Sequence, residues 1–242
     1  MNKAVAIIPA RYGSSRFPGK PLALIHGRPM IQHVYEAASR AVSLNGVIVA
    51  TDDVRIREVV EGFGGEAMMT ARTHSSGTDR IAEVAQGLDA DIVVNIQGDE
   101  PMLRAEMIDQ CVALLADERA SMATLKKLIT NKDEIPDTNV VKVVTDAEGF
   151  ALYFSRAPIP FCRDTVESLY YKHIGIYIYR REALLALREM PQCMAEMAES
   201  LEQLRALHYG YRIKVLETTV QTHAVDTPED IRKVEQWLNT YF

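Results

Sequence analysis

Short apolar runs alternate with amphipathic helical patterns through roughly the first half of the chain. The strand-like runs lie at 4–8, 47–50, 66–69 and 92–96, and the helical patterns lie at 29–42, 54–62, 77–86 and 105–115. Most of the runs are apolar at consecutive positions, which is typical of strands buried on both faces. The alternation therefore predicts an α/β fold with a doubly wound, mostly parallel sheet.

The pattern changes beyond Ser121. Strand-like segments lie at 140–145, 151–155, 170–179 and 212–217, and helical patterns lie near 182–188, 199–208 and 228–238. Thr227 and Pro228 form a helix start, with Thr227 as the cap and Pro228 at the first helical position. We expect a single domain over 1–242 that contains a smaller α+β lid or dimerisation subdomain at about 135–210.

Composition excludes several classes of protein. The chain has 242 residues, is 48% hydrophobic and carries a net charge of −6, so it can bury a large core but is a poor general nucleic-acid binder. Its three cysteines, Cys111, Cys162 and Cys193, have neither disulfide-framework nor zinc-site spacing. No apolar run approaches the ~20 residues of a membrane span. We expect a cytoplasmic protein with no nucleic-acid or membrane partner.

The loop after the first strand has the composition of an anion-binding loop. Gly13 and Gly19 allow close backbone approach, and Arg11, Arg16 and Lys20 supply positive charge. It is not a Walker loop, because its two glycines are one position too far apart and a proline replaces the Ser/Thr that would hold magnesium. A triphosphate cradle and an ordinary surface loop with scattered cations both fit the residues alone.

Two acidic segments are candidates for a magnesium site. Asp99 follows the strand at 92–96, and Asp226 immediately precedes the last helix. Mg²⁺ is commonly held by one or two carboxylates, with water and substrate phosphates completing its shell. Asp99 also fits a β-turn, and Asp226 also fits a helix start, so both alternatives remain open.

The segment at 74–80 combines hydroxyls with a cation at the start of a helical pattern. Ser76 and Thr78, with Arg80 one turn further on, could receive a base or a ribose. The same residues also make an ordinary capped helix, so the pattern by itself leaves both interpretations open.

Taken together, seven segments closely resemble the 3-deoxy-manno-octulosonate cytidylyltransferases, also called CMP-Kdo synthetases. The segments lie at 9–21, 74–83, 95–101, 153–160, 173–179, 201–205 and 225–230, in the family's order through nearly the whole chain. The most specific are Arg-Tyr-Gly-Ser-Ser-Arg-Phe-Pro-Gly-Lys-Pro-Leu, Ser-Gly-Thr-Asp-Arg and Asn-Ile-Gln-Gly-Asp-Glu-Pro.

The resemblance implies a nucleotide-diphospho-sugar transferase-like fold and a homodimer that transfers CMP from CTP to the anomeric hydroxyl of Kdo. The family uses Mg²⁺, releases pyrophosphate and serves lipopolysaccharide biosynthesis. If the roles of the family's matching motif positions hold in this chain, the metal ligands are Asp99 and Asp226. The nucleotide-binding residues are then Arg11, Ser14, Lys20, Ser76, Gly77 and Arg80. Lys20, Asp99 and Asp226 are the implied catalytic residues, and the implied sugar-binding residues are Gln97, Arg156, His173, Tyr177, Glu202 and Gln203.

Three positions depart from the family's pattern, and the second and third of them leave the choice of sugar open, because they could alter the sugar pocket or the dimer surface. Phe17 replaces a leucine, Phe161 a tryptophan and Ile178 a glycine. The alternatives are a cytidylyltransferase for 8-amino-Kdo or sialic acid, a sugar-1-phosphate nucleotidyltransferase, and a catalytically silent CTP sensor. Retention of both Asp99 and Asp226 argues against the sensor.

Overall fold

The structure is a computed structural model and describes residues 2–13, 17–74, 76–163 and 169–241. The chain forms two compact units. The first comprises residues 1–109 and 221–242, and the second comprises residues 110–220. The predicted α/β fold is confirmed. The assignment of a lid or dimerisation role to about 135–210, which lies within the second unit, stays a prediction.

The first unit is built from alternating strands and helices. In chain order they are β1 (Ala4–Ala10), β2 (Leu24–Ile25), β3 (Arg28–Pro29), α1 (Met30–Ser39), β4 (Gly46–Thr51), α2 (Val54–Gly62), β5 (Glu66–Met69), α3 (Gly77–Gln86), β6 (Ile92–Ile96) and α4 (Ala105–Ala113). The chain passes into the second unit within α4 and returns for the C-terminal helix Pro228–Tyr241. The residues of β1, β4 and β6 are almost all buried, as their consecutive apolar side chains predict.

The sheet of the first unit reverses its winding direction beside β1. Its strands run in the order β6, β1, β4, β5, and each neighbouring pair is parallel. The chain winds outward from β1 through β4 to β5 and then returns to place β6 on the other side of β1. Such a reversal opens a crevice at the carboxyl ends of the two central strands, where α/β proteins bind ligands. The loops after β1 and β6 border this crevice.

A separate apolar cluster anchors the C-terminal helix near this crevice. Its buried members are Ile25, Met30, Val225 and Val234, and partly buried Phe17, Met102, Ile231 and Leu238 pack against it. The cluster therefore joins the first loop, the segment after β6 and the helix that follows Asp226. Phe17, one of the departures from the family pattern, serves here as an apolar packing residue.

The second unit has a mixed sheet. Its elements are β7 (Met122–Leu128), β8 (Lys142–Thr145), β9 (Ala151–Ser155), β10 (Tyr171–Arg180), α5 (Arg181–Glu189), α6 (Met194–Glu199), α7 (Gln203–His208) and β11 (Ile213–Glu217). β11 runs parallel to β7, whereas the β7–β10, β10–β8 and β8–β9 pairs are antiparallel. The β7–β10 register shifts between Ile174 and Tyr177, which marks a bulge.

Several predicted boundaries are wrong. The helix expected at 199–208 begins only at Gln203, as α7, because Ser200 adopts a left-handed conformation with φ of 52° and ends the unpredicted helix α6. α1 ends at Ser39 rather than at 42, and α4 gives way to a 3₁₀ turn at Leu114–Ala116. Strand β7 was not predicted as an element.

Met30 provides a test of the apolar cluster. Met30→Ala should lower the free energy of unfolding by about 2–5 kcal/mol, because it leaves a cavity at a fully buried site. Leu24→Ala, at a position that is 57% exposed, should change it by less than about 0.5 kcal/mol. Urea denaturation followed by the fluorescence of Trp237 measures both variants. Equal losses of stability would contradict the placement of Met30 in the core.

Candidate active site

The crevice holds an ion cluster formed by Lys20, Asp99 and Asp226. The Lys20 ammonium donates to Asp99 Oδ2 at 2.6 Å and to the Val225 carbonyl at 2.9 Å, and it lies 3.7 Å from Asp226 Oδ1. The Lys20 side chain is 16% exposed, so the charge is partly shielded from water. Two carboxylates from distant segments thus converge on the ammonium of Lys20, and their shared binding of magnesium stays a prediction.

Backbone contacts bring the two acidic segments together. Val225 N donates to the Asp99 carbonyl at 2.9 Å. Asp230, in the first turn of the C-terminal helix, accepts from the backbone N of both Asp226 and Thr227 and from the Thr227 hydroxyl. Burial opposes ionisation of Asp230, but hydrogen bonds from Lys233, Thr227 and Asp226 hold the pKa of its carboxyl well below the usual value. An ionised Asp230 therefore fixes the backbone at the start of the C-terminal helix, and with it the position of Asp226.

A third carboxyl group, that of Glu100, lies next to Asp99. Burial, reinforced by the charges of Asp99 and Asp226, raises the pKa of Glu100 to about 8. Its Oε2 is buried and has no hydrogen-bond partner among the described residues. The site is thus an acidic environment that a further positive charge would stabilise.

Ser76 and Gly77 form the start of α3 against the end of β1. Ser76 Oγ accepts from Asp79 N at 3.1 Å, and Asp79 accepts from Ser76 N at 3.2 Å, which completes a capping box. A Cβ placed on Gly77 would lie 3.4 Å from Pro9 Cγ. The capped-helix interpretation is correct for this segment, and nucleotide binding by the same two residues stays a prediction.

Arg80 is fully buried. Its guanidinium donates to Asp52 Oδ2 at 3.0 Å and to Thr70 Oγ1. Asp52 and Thr70 follow β4 and β5, so Arg80 ties together the carboxyl ends of these strands. Arg80 Nε is buried without a partner among the described residues. The guanidinium therefore has a structural role, and its assigned contact with the cytidine stays a prediction.

The remaining candidates of the first unit lie around the same sheet edge. Gln97 follows β6, and its amide donates to Asn95 Oδ1 at 2.9 Å. Arg11 directly follows β1. Ser14 lies outside the described residues.

In the second unit, His173 is held as a neutral imidazole. Its ring packs near Phe154 and Tyr177, with centroid distances of 5.1 Å and 5.2 Å. Desolvation lowers the pKa of His173 to about 3. His173 is therefore uncharged at neutral pH and is a poor general base there.

Thr124 determines which imidazole nitrogen carries the proton. Thr124 Oγ1 lies 2.7 Å from the Ile176 carbonyl and 2.9 Å from His173 Nε2. Because a carbonyl can only accept, the single hydroxyl proton goes to Ile176, and His173 Nε2–H donates to Thr124 Oγ1. His173 Nδ1 thus presents a lone pair that can accept a hydrogen bond.

Tyr177 and Glu202 lie in the same region of the second unit. Burial, followed by the influence of Tyr179 and Glu202, raises the pKa of the Tyr177 phenol well above its usual value. Tyr177 therefore stays protonated and can donate a hydrogen bond. The structure brings His173 and Tyr177 into ring contact and places Glu202 within electrostatic reach of Tyr177.

Gln203 and Arg156 differ in how their polar groups are satisfied. Gln203 is 5% exposed, and its amide nitrogen has no hydrogen-bond partner among the described residues. The Arg156 guanidinium donates to the carbonyls of Glu199 at 2.7 Å, Thr138 at 2.8 Å and Ser200 at 3.4 Å. Gln203 therefore retains donors for a ligand, whereas Arg156 is largely committed to the backbone. Sugar binding by Arg156 stays a prediction.

Sequence reasoning missed the residues that orient these groups. Thr124 lies on the unpredicted strand β7, and Asp52 and Thr70 were not recognised as partners of Arg80. A threonine in the apolar run at 122–125 was the available signal for Thr124, since a buried hydroxyl needs partners. No local pattern pointed to the partners of Arg80.

Comparisons with known proteins agree with this fold and identify the family. A family model described as Cytidylyltransferase matches residues 5–215, which defines the class as a cytidylyltransferase. A 3-deoxy-manno-octulosonate cytidylyltransferase of Geobacter metallireducens is 52% identical, with 99% of each chain covered. Another, of Thermodesulfovibrio yellowstonii, is 49% identical, with 98% of each chain covered.

A solved structure is similar over the full length. It is that of CMP:2-keto-3-deoxy-manno-octonic acid synthetase complexed with CTP, with a TM-score of 0.95 and 46% identity. The alignment covers 99% of this chain and 100% of that one. The chain belongs to the 3-deoxy-manno-octulosonate cytidylyltransferase family.

The neutral state of His173 predicts a pH dependence of stability. Below its ordinary pKa of 6.5 the unfolded chain takes up a proton at this residue, whereas the folded protein does so only near pH 3. The contribution of His173 to the free energy of unfolding is therefore fully present above pH 6.5 and is lost as the pH falls toward 3. His173→Gln should show a smaller drop in Tm between pH 7 and pH 5 than the parent protein.

The matched control is His208→Gln, which removes an exposed histidine. This variant should follow the parent curve when Tm is measured by differential scanning calorimetry at each pH. If His173→Gln also followed the parent curve, the imidazole would not be held neutral by burial.

Proposed function

We propose that Lys20, Asp99 and Asp226 carry the chemistry of CMP transfer, and that the polar group around His173 and Gln203 holds the acid sugar. The reaction is that of the family: the chain transfers CMP from CTP to Kdo. The single observation that carries the assignment is the convergence of Lys20 with the two aspartates at the reversal point of the sheet. An open α/β sheet binds its ligands at this point.

Lys20 supplies positive charge to the nucleotide. Its ammonium is shielded from water and held in place by Asp99 and the Val225 carbonyl, so little reorganisation is needed when phosphates arrive. The sugar's anomeric hydroxyl gives its proton to water as its oxygen attacks the α-phosphorus, and the bond from the α-phosphorus to the oxygen shared with the β-phosphate breaks, which releases pyrophosphate. Negative charge then accumulates on the departing pyrophosphate, where a prepositioned cation lowers the barrier.

The donor set of the site fits Mg²⁺. Asp99 and Asp226 both have an oxygen within 4 Å of the Lys20 ammonium, so both carboxylates reach the same small region of the crevice. Within the described ranges, no group of three or more His, Cys, Asp or Glu forms a metal site. Mg²⁺ is commonly held by two carboxylates, with water and phosphate oxygens completing its coordination shell. When bound, Mg²⁺ would polarise the α-phosphate and lower the pKa of the sugar hydroxyl.

The second unit offers neutral hydrogen-bonding groups that suit a sugar. His173 Nδ1 can accept, the Tyr177 hydroxyl can donate, and the buried Gln203 amide nitrogen, which has no partner among the described residues, can donate as well. Oriented neutral donors and acceptors discriminate among hydroxyl patterns, because a ligand lacking a matching group leaves a buried polar atom unpaired. Neutral His173 binds the sugar in this proposal and takes no proton.

The family also supports proposals about cellular context. We assign the activity to lipopolysaccharide biosynthesis in the cytoplasm and the active form to a homodimer. Across the residues that the structure covers, no helix has the length and apolar character to cross a membrane.

Pyrophosphate release from purified protein tests the reaction. CTP is supplied with Kdo, 8-amino-Kdo, N-acetylneuraminate or a sugar 1-phosphate, each with Mg²⁺ and with EDTA. The proposal expects release with Kdo that EDTA abolishes. Release with a different acid sugar would retain cytidylyl transfer but overturn the sugar assignment, and release in EDTA would overturn the magnesium assignment.

Charge removal tests the two aspartates. Asp99→Asn and Asp226→Asn should each lower kcat by about 100-fold or more, because each loses an anionic ligand for the Mg²⁺ that would stabilise the developing negative charge. The control is Asp89→Asn, which removes a carboxylate that is 99% exposed in the same unit. Circular dichroism should show native folding for all three variants. A near-normal rate in either site variant would remove that aspartate from the mechanism.

Gln203→Met separates sugar binding from folding. The variant removes a buried amide whose nitrogen has no hydrogen-bond partner among the described residues, so stability should stay equal or rise by about 1 kcal/mol. The KM for Kdo should rise about 10-fold through loss of a hydrogen bond, with the KM for CTP unchanged. Steady-state kinetics and thermal unfolding measure these effects, with Gln192→Met at an exposed position as the control. An unchanged KM for Kdo would show that Gln203 does not contact the sugar.

A further inference from the structure

The loop that carries Lys20 is closed at its base by Tyr12 and Gly19. Gly19 N donates to the Tyr12 carbonyl at 2.8 Å, so the two ends of the 13–18 segment are joined. Gly19 has φ of 71°, a left-handed conformation that favours glycine. Lys20 follows immediately at the start of a 3₁₀ turn. The conformation at Gly19 therefore determines where the Lys20 side chain begins.

The Tyr12 ring packs directly on Gly19. A Cβ built on Gly19 would lie 3.2 Å from Tyr12 Cζ and 3.3 Å from Cε2 and Oη. The ring thus occupies the space that any side chain at position 19 would need. This contact limits the movement of the backbone at Gly19 toward the tyrosine.

Arg55 holds the Tyr12 ring. The central guanidinium carbon lies 3.3 Å from the centroid of the ring, a stacked geometry in which a cation is attracted to the aromatic face. Arg55 is itself fixed, because Nε and Nη2 donate to the two Asp53 oxygens at 2.9 Å and 2.6 Å. Asp53 is the N-cap of α2. The start of α2 is thereby connected, through Arg55 and Tyr12, to Gly19.

We propose that the stack of Arg55 on Tyr12 is a positioning device that holds Gly19 and Lys20 in place for the triphosphate of CTP. The inference rests on the proposed function of Lys20 and extends it to two residues that touch neither Asp99 nor Asp226. Without the stack, the loop samples more conformations in the free protein, and binding must order it at a cost in affinity. The loss falls on CTP binding, because the groups around His173 are unaffected.

Two variants remove parts of the stack. Arg55→Met should weaken CTP binding about 3- to 5-fold, consistent with a partly exposed cation–π contact. Tyr12→Leu should weaken it about 10-fold, because it also removes the packing on Gly19. Tyr12→Phe keeps the ring and should retain nearly normal binding. Arg57→Met removes a neighbouring cation of α2 and serves as the matched control.

Isothermal titration calorimetry with CTP and Mg²⁺ in the absence of sugar measures affinity, and steady-state kinetics supplies KM and kcat. The proposal expects a higher Kd and KM for CTP, an unchanged KM for Kdo, and kcat within about twofold of the parent. Normal CTP affinity in both Arg55→Met and Tyr12→Leu would overturn it. Equal effects of Arg57→Met and Arg55→Met would also overturn it, by showing a general charge effect.

Lys20→Met distinguishes the failure of this inference from failure of the proposed function. If Lys20→Met weakens CTP binding while the stack variants do not, the positioning role is wrong and the role of Lys20 stands. If Lys20→Met binds CTP normally, the loop does not hold the triphosphate, and both proposals are overturned.

Discussion

The ion cluster of Lys20, Asp99 and Asp226 is the interaction on which the arrangement of the first unit depends. Each residue comes from a different part of the chain: the loop after β1, the turn after β6 and the segment before the C-terminal helix. Two aspartates held this close would repel each other, and the Lys20 ammonium offsets that repulsion at 2.6 Å and 3.7 Å. The same excess of negative charge favours the binding of a divalent cation.

Apolar packing makes that charged cluster possible. The core formed by Ile25, Met30, Val225 and Val234 fixes the C-terminal helix against the first loop. Asp230 and the bond from Val225 N to the Asp99 carbonyl then set the backbone on either side of Asp226. Charged groups are thus placed by the apolar packing and hydrogen bonds around them, which is how a site can be preorganised before its ligands arrive.

The two units differ in the character of their polar groups. The first presents charges, which suit a triphosphate and a metal, whereas the second presents a neutral imidazole, a protonated phenol and a buried amide nitrogen that has no partner in the described part of the chain. Polyphosphate binding depends on charge, but discrimination among sugars depends on the direction of individual hydrogen bonds. The proposed division between nucleotide and sugar recognition follows from this difference.

Much of the first unit was predictable because its signals are local. Buried parallel strands need consecutive apolar residues, and β5, β6, α2 and α3 have the predicted bounds. The second unit was less predictable. The residues of β7 show no clear alternation of apolar and polar side chains. The end of α6 depends on the left-handed conformation of Ser200, which the residue type alone does not indicate. The ordered resemblance of several motifs identified the family although each motif by itself was ambiguous.

The fold class, the family and the types of side chain available for catalysis follow from the order of residues along the chain, since they depend on periodicity and residue identity. Three features require the folded chain: Lys20 joins Asp99 to Asp226, Arg80 is buried against Asp52 and Thr70, and Thr124 fixes which nitrogen of His173 carries the proton. Burial and hydrogen-bond geometry are properties of segments brought together from distant parts of the chain. Burial and hydrogen-bond geometry control the charge state of a side chain and the direction in which it donates or accepts, and neither can be read from a local pattern of residues.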